Sequence, residues 1–403
     1  MWPGWAWENG EVRNSLDETL GLYISVPFCA SKCSYCNFAS GVFSRERMAP
    51  YVARLVGEIR AARGRAVEMG AELPQKLDSI YYGGGTPSLL PPDLFLLIAD
   101  ALRAEFDLGS DVEWTIECAP GQLSAEVLAA MVEAGVNRFS FGVQSFVDRE
   151  TAAVGRLHTR QMVAETIAMV RAHGVNNVNV DLLAGLPHQT ESSWRESVAA
   201  AIELGVRHVS VYMLEVDEDS RLGRELLISG DKYHAGAVPS DDAIADFYGI
   251  ACEQLNGSGI RQYEISNFAR DGYESRHNLR YWLRGPYVGF GLDAHSCLHR
   301  RDGQSVRFAN ADDLAGYVTG QAGSMEIVEK GAQLEEAWFL GLRRNQGVRF
   351  DDISLEFGEE AESAFRKTAT GLAEEGLIEY GDGSLYLTAR GRLLSNDVFA
   401  RFL

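Results

Sequence analysis

Three of the six cysteines in this chain, Cys29, Cys33 and Cys36, fall within eight residues in the pattern C-x3-C-x2-C. Thiolates are soft donors that suit iron–sulfur clusters. Three of them on one short loop can hold three corners of a cubane. The fourth iron then has no protein ligand and can take an external chelating molecule. Structural zinc is the other common use of clustered cysteines, but it takes four protein ligands, usually as two pairs. Cys118, Cys252 and Cys297 are isolated, so no second pair exists. A disulfide framework belongs to short secreted chains with dispersed cysteines. The expected metal ligands are therefore Cys29, Cys33 and Cys36, around a [4Fe–4S] cluster.

An amine and a carboxylate chelate such an iron, and S-adenosylmethionine (SAM) carries both. Electron transfer into its sulfonium breaks a C–S bond and releases a 5′-deoxyadenosyl radical. Other residues fit a site of this kind. Gly83, Gly84 and Gly85 end an apolar run, where backbone N–H and C=O groups can approach a ligand closely. No lysine stands in the Walker position, which disfavours a nucleoside triphosphate. Glu117, Gln144 and Asp181 fall at or near the ends of the next three apolar runs. In a parallel barrel that rim carries the active site. Each alone could be a helix cap, but four consecutive strand ends converging on the cysteine loop make chance a poor account. Arg156 could fork onto a carboxylate, and an arginine on the surface fits its position equally well.

The elements that must position these residues are legible as an alternation. Apolar runs at 22–26, 78–82, 112–117, 137–142, 177–183 and 208–214 read as strands. Helical patterns at 46–71, 93–105, 125–134, 161–172, 191–204 and 241–255 follow them in turn. Six β/α units argue for a parallel sheet with helices outside, its strands apolar on both faces. Periodicity leaves a doubly wound sheet and a partial barrel both open. Asp93 and Ser124 are placed as helix N-caps. Gly135, Gly174 and Gly205 stand where C′ glycines belong. Residues 217–240 read as an acidic, irregular connection, and 257–330 show no clear period. Helices at 335–344 and 359–375, then a hairpin, have the shape of a small winged-helix-like unit.

The chain has 403 residues, 46% of them hydrophobic and 23% charged, with a net charge of −20. That acidity repels a phosphate backbone, so nucleic acid is not an expected partner and the winged-helix-like unit is expected to pack or dock instead. No apolar run reaches the length that crosses a bilayer. The first twenty residues lack the basic and apolar regions of a signal peptide. A cytoplasmic location is expected.

Residues 23–29, 83–87, 142–146 and 181–187 resemble the HemN-like radical SAM family, and the likeness runs over nearly the whole chain, from about residue 21 to 403. The resemblance implies an α/β fold: a partial (β/α)6 TIM-like barrel with a small α+β winged-helix-like C-terminal domain. It divides the chain into an N-terminal arm (1–20), the barrel (21–256), a connecting region (257–330) and the C-terminal domain (331–403). By motif position it implies that Tyr23 and Tyr35 contact SAM near the cluster. Gly84, Gly85 and Thr86 would line its methionine part, and Glu117, Gln144, Arg156 and Asp181 would hold the rest.

The family has two main branches, oxygen-independent coproporphyrinogen III dehydrogenases and the heme chaperone branch, HemW. Three features favour the chaperone branch. Phe38 stands where the dehydrogenases carry an extra cysteine. Only 28 residues precede Cys29, where the dehydrogenases have a longer arm. The stretch from His277 to Trp282 matches the branch's H-N-x-x-Y-W signature. His277 is then the candidate heme ligand, since imidazole is the usual axial ligand, with Tyr281 and Trp282 as stacking partners and His295 as a second candidate. An aromatic-rich structural loop with a hydrogen-bonded histidine is the equal alternative. Ser25 and Asp293 depart from the family's pattern, which has histidine and glycine there. The resemblance implies SAM and heme or porphyrin as bound molecules, with delivery of heme to respiratory proteins. A radical decarboxylase of a porphyrinogen is the alternative function, and a homodimer is left open.

Overall fold

Six strands follow one another both along the chain and across the sheet: β1 (Thr19–Val26), β2 (Lys76–Gly84), β3 (Asp107–Cys118), β4 (Arg138–Gln144), β5 (Asn177–Ala184) and β6 (His208–Met213). Each runs parallel to the next. Helices Met48–Glu68, Pro92–Glu105, Ala125–Glu133, Arg160–Ala172, Glu191–Glu203 and Asp241–Gly257 alternate with them. This is a partial (β/α)6 barrel, here in a computed structural model that describes residues 5–8 and 11–403, with side chains from Leu16 onward. The expected arm over 1–20 lies partly outside the described residues. Within it, Trp5–Glu8 pairs antiparallel with Glu11–Asn14.

The strands are not apolar on both faces. On β1, Leu20, Leu22, Ile24 and Val26 are buried and pack into the main core with Tyr51, Val52, Leu55 and Ile59 of the first long helix. The alternate positions carry polar groups: Ser79 and Tyr81 on β2, Glu113, Thr115 and Glu117 on β3, Arg138 and Ser140 on β4, Asn179 and Asp181 on β5. Successive side chains of a strand point to opposite faces, so one face meets the helices and the other lines the inside of the barrel. That interior is polar rather than apolar: Asn179 Nδ2 donates to Ser140 and Asp181, Tyr81 donates to Glu117, and Arg138 reaches Thr115.

Residues 257–330, expected to be without period, extend the same sheet at both edges. Asn267–Ala269 pairs antiparallel with β6, and Tyr287–Phe290 lies parallel to β1. His295–His299, Ser305–Ala309 and Met325–Val328 continue outward as antiparallel strands. The region was hard to read because its strands are short and pair with distant segments. The acidic connection at 217–240 also contains structure, a helix at Arg221–Leu227 capped by Ser220, whose hydroxyl accepts from the Gly223 N–H at 2.8 Å.

Helix ends follow local chemistry. Ser124 caps its helix by accepting from the Val127 N–H at 3.2 Å. Asp93 does not cap: Pro91 holds the N-cap position and Asp93 falls in the first turn, where its charge still suits the helix dipole. Gly135, Gly174 and Gly205 all take positive φ after their helices.

The C-terminal part has its own core, built around Trp338, which stacks on Phe402 at 5.7 Å and on Phe365 at 4.6 Å. Val348–Arg349, Ser384–Leu387 and Ile378–Gly381 form its small antiparallel sheet beside helices Lys330–Leu342, Phe350–Phe357 and Glu359–Glu374. No described helix is long and apolar enough to cross a membrane.

Candidate functional site

The cysteine loop leaves the end of β1 and is held by its own backbone. The Cys29 N–H donates to Gly41 C=O at 2.9 Å, and the Gly41 N–H to Pro27 C=O at 2.9 Å. Lys32 Nζ donates to the carbonyls of Phe38 and Ser40 at 2.7 and 3.0 Å, which cross-ties the loop. The glycine run at the end of β2 packs directly on it. The Gly85 N–H donates to Val26 C=O at 3.0 Å and the Thr86 N–H to Phe28 C=O at 2.8 Å. A Cβ on Gly85 would sit 2.8 Å from the Val26 oxygen and 2.9 Å from the Phe28 oxygen, so only glycine fits.

More distant segments complete the brace. The Ser34 N–H donates to Val154 C=O at 3.1 Å, and Ser31 Oγ to Gly155 C=O at 3.0 Å. From the helix at Arg221–Leu227, the Leu222 N–H donates to Ser34 C=O at 2.7 Å. Arg221 bonds the Lys32 carbonyl, and Asn37 bonds Asp217. Nothing in the periodicity of 217–240 points to that role, because the contacts join segments far apart in sequence.

Cys29, Cys33 and Cys36 line one cavity of about 660 Å³, within the range of small-molecule sites. All three are free thiols. Burial raises the Cys29 thiol, while hydrogen bonds from Ser40 and Thr86 work the other way. Cys118 also lines the cavity, and burial pushes its thiol up to about 12, but it stands at the end of β3 and outside the cysteine loop. Among the described residues no three His, Cys, Asp or Glu side chains converge to hold one metal ion. A cubane asks something else, that each thiolate bind a different iron around a shared hollow.

Tyr35, Gly84, Gly85 and Thr86 line the same cavity, as do Glu117, Gln144, Arg156 and Asp181. Burial, and then the neighbouring Asp181 charge, push the Glu117 carboxyl up to about 8. Tyr81 Oη donates to Glu117 Oε1 at 2.9 Å. Burial raises Asp181 too, opposed by hydrogen bonds from Ser210 and Asn179. Gln144 sits where the pairing of β4 with β5 shifts register, and its φ is +71°. A left-handed conformation for a residue other than glycine is costly, and here a bulge turns the end of β4 at the cavity wall. Arg156 Nη1 lies 3.7 Å from Cys33 Sγ, and Nη2 bonds the Gly142 carbonyl.

Three candidate residues are not brought to the cavity, Tyr23, His277 and His295. Tyr23 lies beneath it, with its ring stacked on Tyr81 at 6.2 Å and its hydroxyl beside Gly83. His277 is 2% exposed and both ring nitrogens are bonded, Nδ1 with Ser79 Oγ at 3.1 Å and Nε2 with Tyr281 Oη at 2.8 Å. Burial pushes it down to about 3, so it stays neutral. The short helix at Arg276–Trp282 carries it against β1 and β2, inside the barrel. His295 is exposed, 3.8 Å from Asp293, and does not line the cavity. Residues missed at the sequence level do line it: Tyr212, Met213 and Leu214 at the end of β6, and Leu393, Leu394 and Asn396 from the C-terminal part.

The chain matches the Radical SAM superfamily over residues 23–201 and the HemN C-terminal domain over residues 328–394. It is 35% identical to the heme chaperone HemW of Bacillus subtilis over 395 residues, covering 94% of this chain and 98% of that one. It is 30% identical to the heme chaperone HemW of Lactococcus lactis, covering 96% of this chain and 98% of the other. Among solved structures it is similar to the coproporphyrinogen III oxidase HemN from Escherichia coli, described as a radical SAM enzyme. The TM-score is 0.79 at 23% identity, covering 96% of this chain and 90% of that one.

Proposed function

Because this chain belongs to the HemW family of radical SAM proteins, we propose that it binds a [4Fe–4S] cluster, SAM and heme in one cavity and passes heme to a recipient respiratory protein. Cys29, Cys33 and Cys36 hold the cluster. The cluster supplies an electron and a free iron on which the amine and carboxylate of SAM can chelate. Gly84, Gly85 and Thr86 offer backbone groups to the methionine part. Glu117, Gln144, Arg156 and Asp181 hold the remainder, with Glu117 able to donate a proton in a hydrogen bond at neutral pH. The observation that carries this reading is that three free thiols and these four polar side chains line the same cavity.

We assign heme to the side of the cavity lined by Tyr212, Leu393 and Leu394, next to Asn396 and Asp397. Tyr212 is 42% exposed, and Leu393 and Leu394 are 36% and 39% exposed. Exposed apolar side chains inside a concave site suit a flat apolar ligand. His277 is not part of this proposal, since it is buried away from the cavity and ligation would require one of its ring nitrogens to give up its hydrogen bond. The barrel is assigned residues 21–256, with 331–403 as the C-terminal domain that supplies part of the cavity wall.

The test is anaerobic reconstitution. Expected are about four irons and four sulfides per chain, an electron paramagnetic resonance signal of the reduced protein that changes on adding SAM, and a Soret shift on adding heme. Cys33→Ala should lose the cluster. Material that binds zinc alone would sink the cluster assignment. Conversion of coproporphyrinogen III to protoporphyrinogen with SAM and reductant would replace the chaperone reading by an enzymatic one.

A further inference from the structure

Asp181 stands at the end of a hydrogen-bonded chain that runs away from the cavity into the barrel. Asn179 Nδ2 donates to Asp181 Oδ1 at 2.7 Å. Asn179 Oδ1 meets His208 Nδ1 at 2.6 Å. His208 Nε2 meets Tyr263 Oη at 2.9 Å. The Ser275 N–H donates to that same Tyr263 oxygen at 3.2 Å. Asn179 and His208 are 3% and 0% exposed, and neither lines the cavity.

Only one arrangement of protons satisfies every member. A carboxylate accepts, so Asn179 must turn its NH₂ toward Asp181 and its oxygen toward His208. That oxygen also accepts, so His208 must carry its proton on Nδ1. Nε2 is then an acceptor and must receive the Tyr263 hydroxyl proton. This leaves the Tyr263 oxygen free to accept from Ser275, as it does. The Asp181 end fixes the tautomer, and the Tyr263 hydroxyl, which can donate or accept, completes the pairing at Nε2. Burial holds His208 well below its usual range, so the ring is neutral and has one donor only. No alternative tautomer keeps the amide of Asn179 facing the carboxylate.

We infer that His208 and Asn179 are positioning residues that orient the Asp181 carboxylate toward the ligand in the cavity, with Tyr263 pairing the second ring nitrogen of His208. The inference rests on the proposal that Asp181 contacts SAM. It adds a mechanism that the rim residues alone do not contain. Orientation is set by a neutral donor three bonds removed from the ligand and is carried by an amide that cannot flip without leaving two groups unpaired. Ser140 Oγ, 3.4 Å from Asp181 Oδ2, provides a weaker hold on the other oxygen.

The experiment measures SAM affinity of the cluster-loaded protein from the change in its electron paramagnetic resonance signal, in two backgrounds. His208→Phe keeps the ring volume and removes the donor. It should weaken SAM roughly tenfold, and His208→Gln, which still offers an N–H to Asn179, should recover most of that loss. In an Asp181→Asn background there is no carboxylate to orient, so His208→Phe should cost less than about twofold there. Equal losses in both backgrounds, or no loss in either, overturn the inference, because a merely structural histidine would behave in that way. If Asp181→Asn weakens SAM but His208→Phe does not, the inference fails and the proposed site stands. If Asp181→Asn has wild-type affinity, the assignment of Asp181 fails and the inference with it. Should His208→Phe lose its cluster, Tyr263→Phe carries the test. It is nearly isosteric, removes the hydroxyl proton that Nε2 of His208 accepts, and should weaken SAM by about threefold only when Asp181 is present. Unchanged affinity in that variant overturns the inference.

Discussion

Glu117 shows how the interior chemistry should appear in solution. Its carboxyl is pushed from the ordinary 4.5 up to about 8, by burial first and by Asp181 second. Between those two values the folded protein binds a proton that the unfolded chain has released. Stability therefore falls as pH rises through that window and levels off above it. Glu117→Gln keeps the shape without the ionisation. The variant should lose less stability between pH 6 and pH 8.5 than the wild type does, a difference of at least about 2 °C in Tm. Differential scanning calorimetry at the two pH values measures it, and parallel declines would show that Glu117 is not the group responsible. The same residue was found from its place at a strand end. The depth of its burial, and Tyr81 beneath it, were not legible, because they depend on which face of β3 turns inward. His277 makes the converse case. The motif drew attention to it, but its environment is set by Ser79 and Tyr281 on either side of the ring, and only packing brings Ser79 there.

At the scale of elements, the cysteine loop owes its shape to neighbours that look unimportant in sequence. The glycine run of β2 was read as a place for a ligand to approach. It is also the surface on which the loop rests, since Gly85 and Thr86 donate to the carbonyls just before Cys29. The helix at Arg221–Leu227 supports the loop from outside, anchored by Leu222, which is fully buried. Leu222→Ala removes that anchor and should destabilise the segment by about 3 kcal/mol. Iron release from the reconstituted protein to a chelator should then be several-fold faster. Leu227, 61% exposed in the same helix, provides the control, and Leu227→Ala should release iron at the wild-type rate. Equal release rates in all three proteins would mean that the helix does not brace the loop.

At the scale of the whole molecule, the cavity belongs to both parts of the chain. The barrel contributes strand ends, and the C-terminal part contributes Leu393, Leu394 and Asn396. The connecting region fastens the C-terminal part through Arg284, which forks onto Glu356, with Nη1 at 3.0 Å from Oε1. Arg343 of the C-terminal part adds a second tie, lying over the Trp282 ring at 4.2 Å. The C-terminal part closes one side of the cavity with residues 393–397. Leu394→Glu places a charge in the less polar part of the lining. It should weaken heme binding about tenfold, since desolvating a carboxylate against an apolar ligand is costly, while SAM affinity stays within about twofold of wild type. A titration of each ligand separates the effects, and equal losses for both would remove the distinction between the two halves of the cavity.

The sequence by itself determined what depends on near neighbours. The spacing of Cys29, Cys33 and Cys36 sets three soft donors on one loop, and the alternation of apolar runs with helical patterns sets strand ends where Glu117, Gln144 and Asp181 stand. These are properties of short stretches, governed by backbone periodicity and donor chemistry. Tertiary structure alone decided which face of each strand turned inward, so that a polar network filled the barrel and His208 came to lie behind Asp181. It also decided that residues near 34, 154 and 222 would meet around the cysteine loop and that Leu394 would reach the cavity. Contacts between segments so far apart carry no period, because they arise from how whole elements pack once the chain has collapsed.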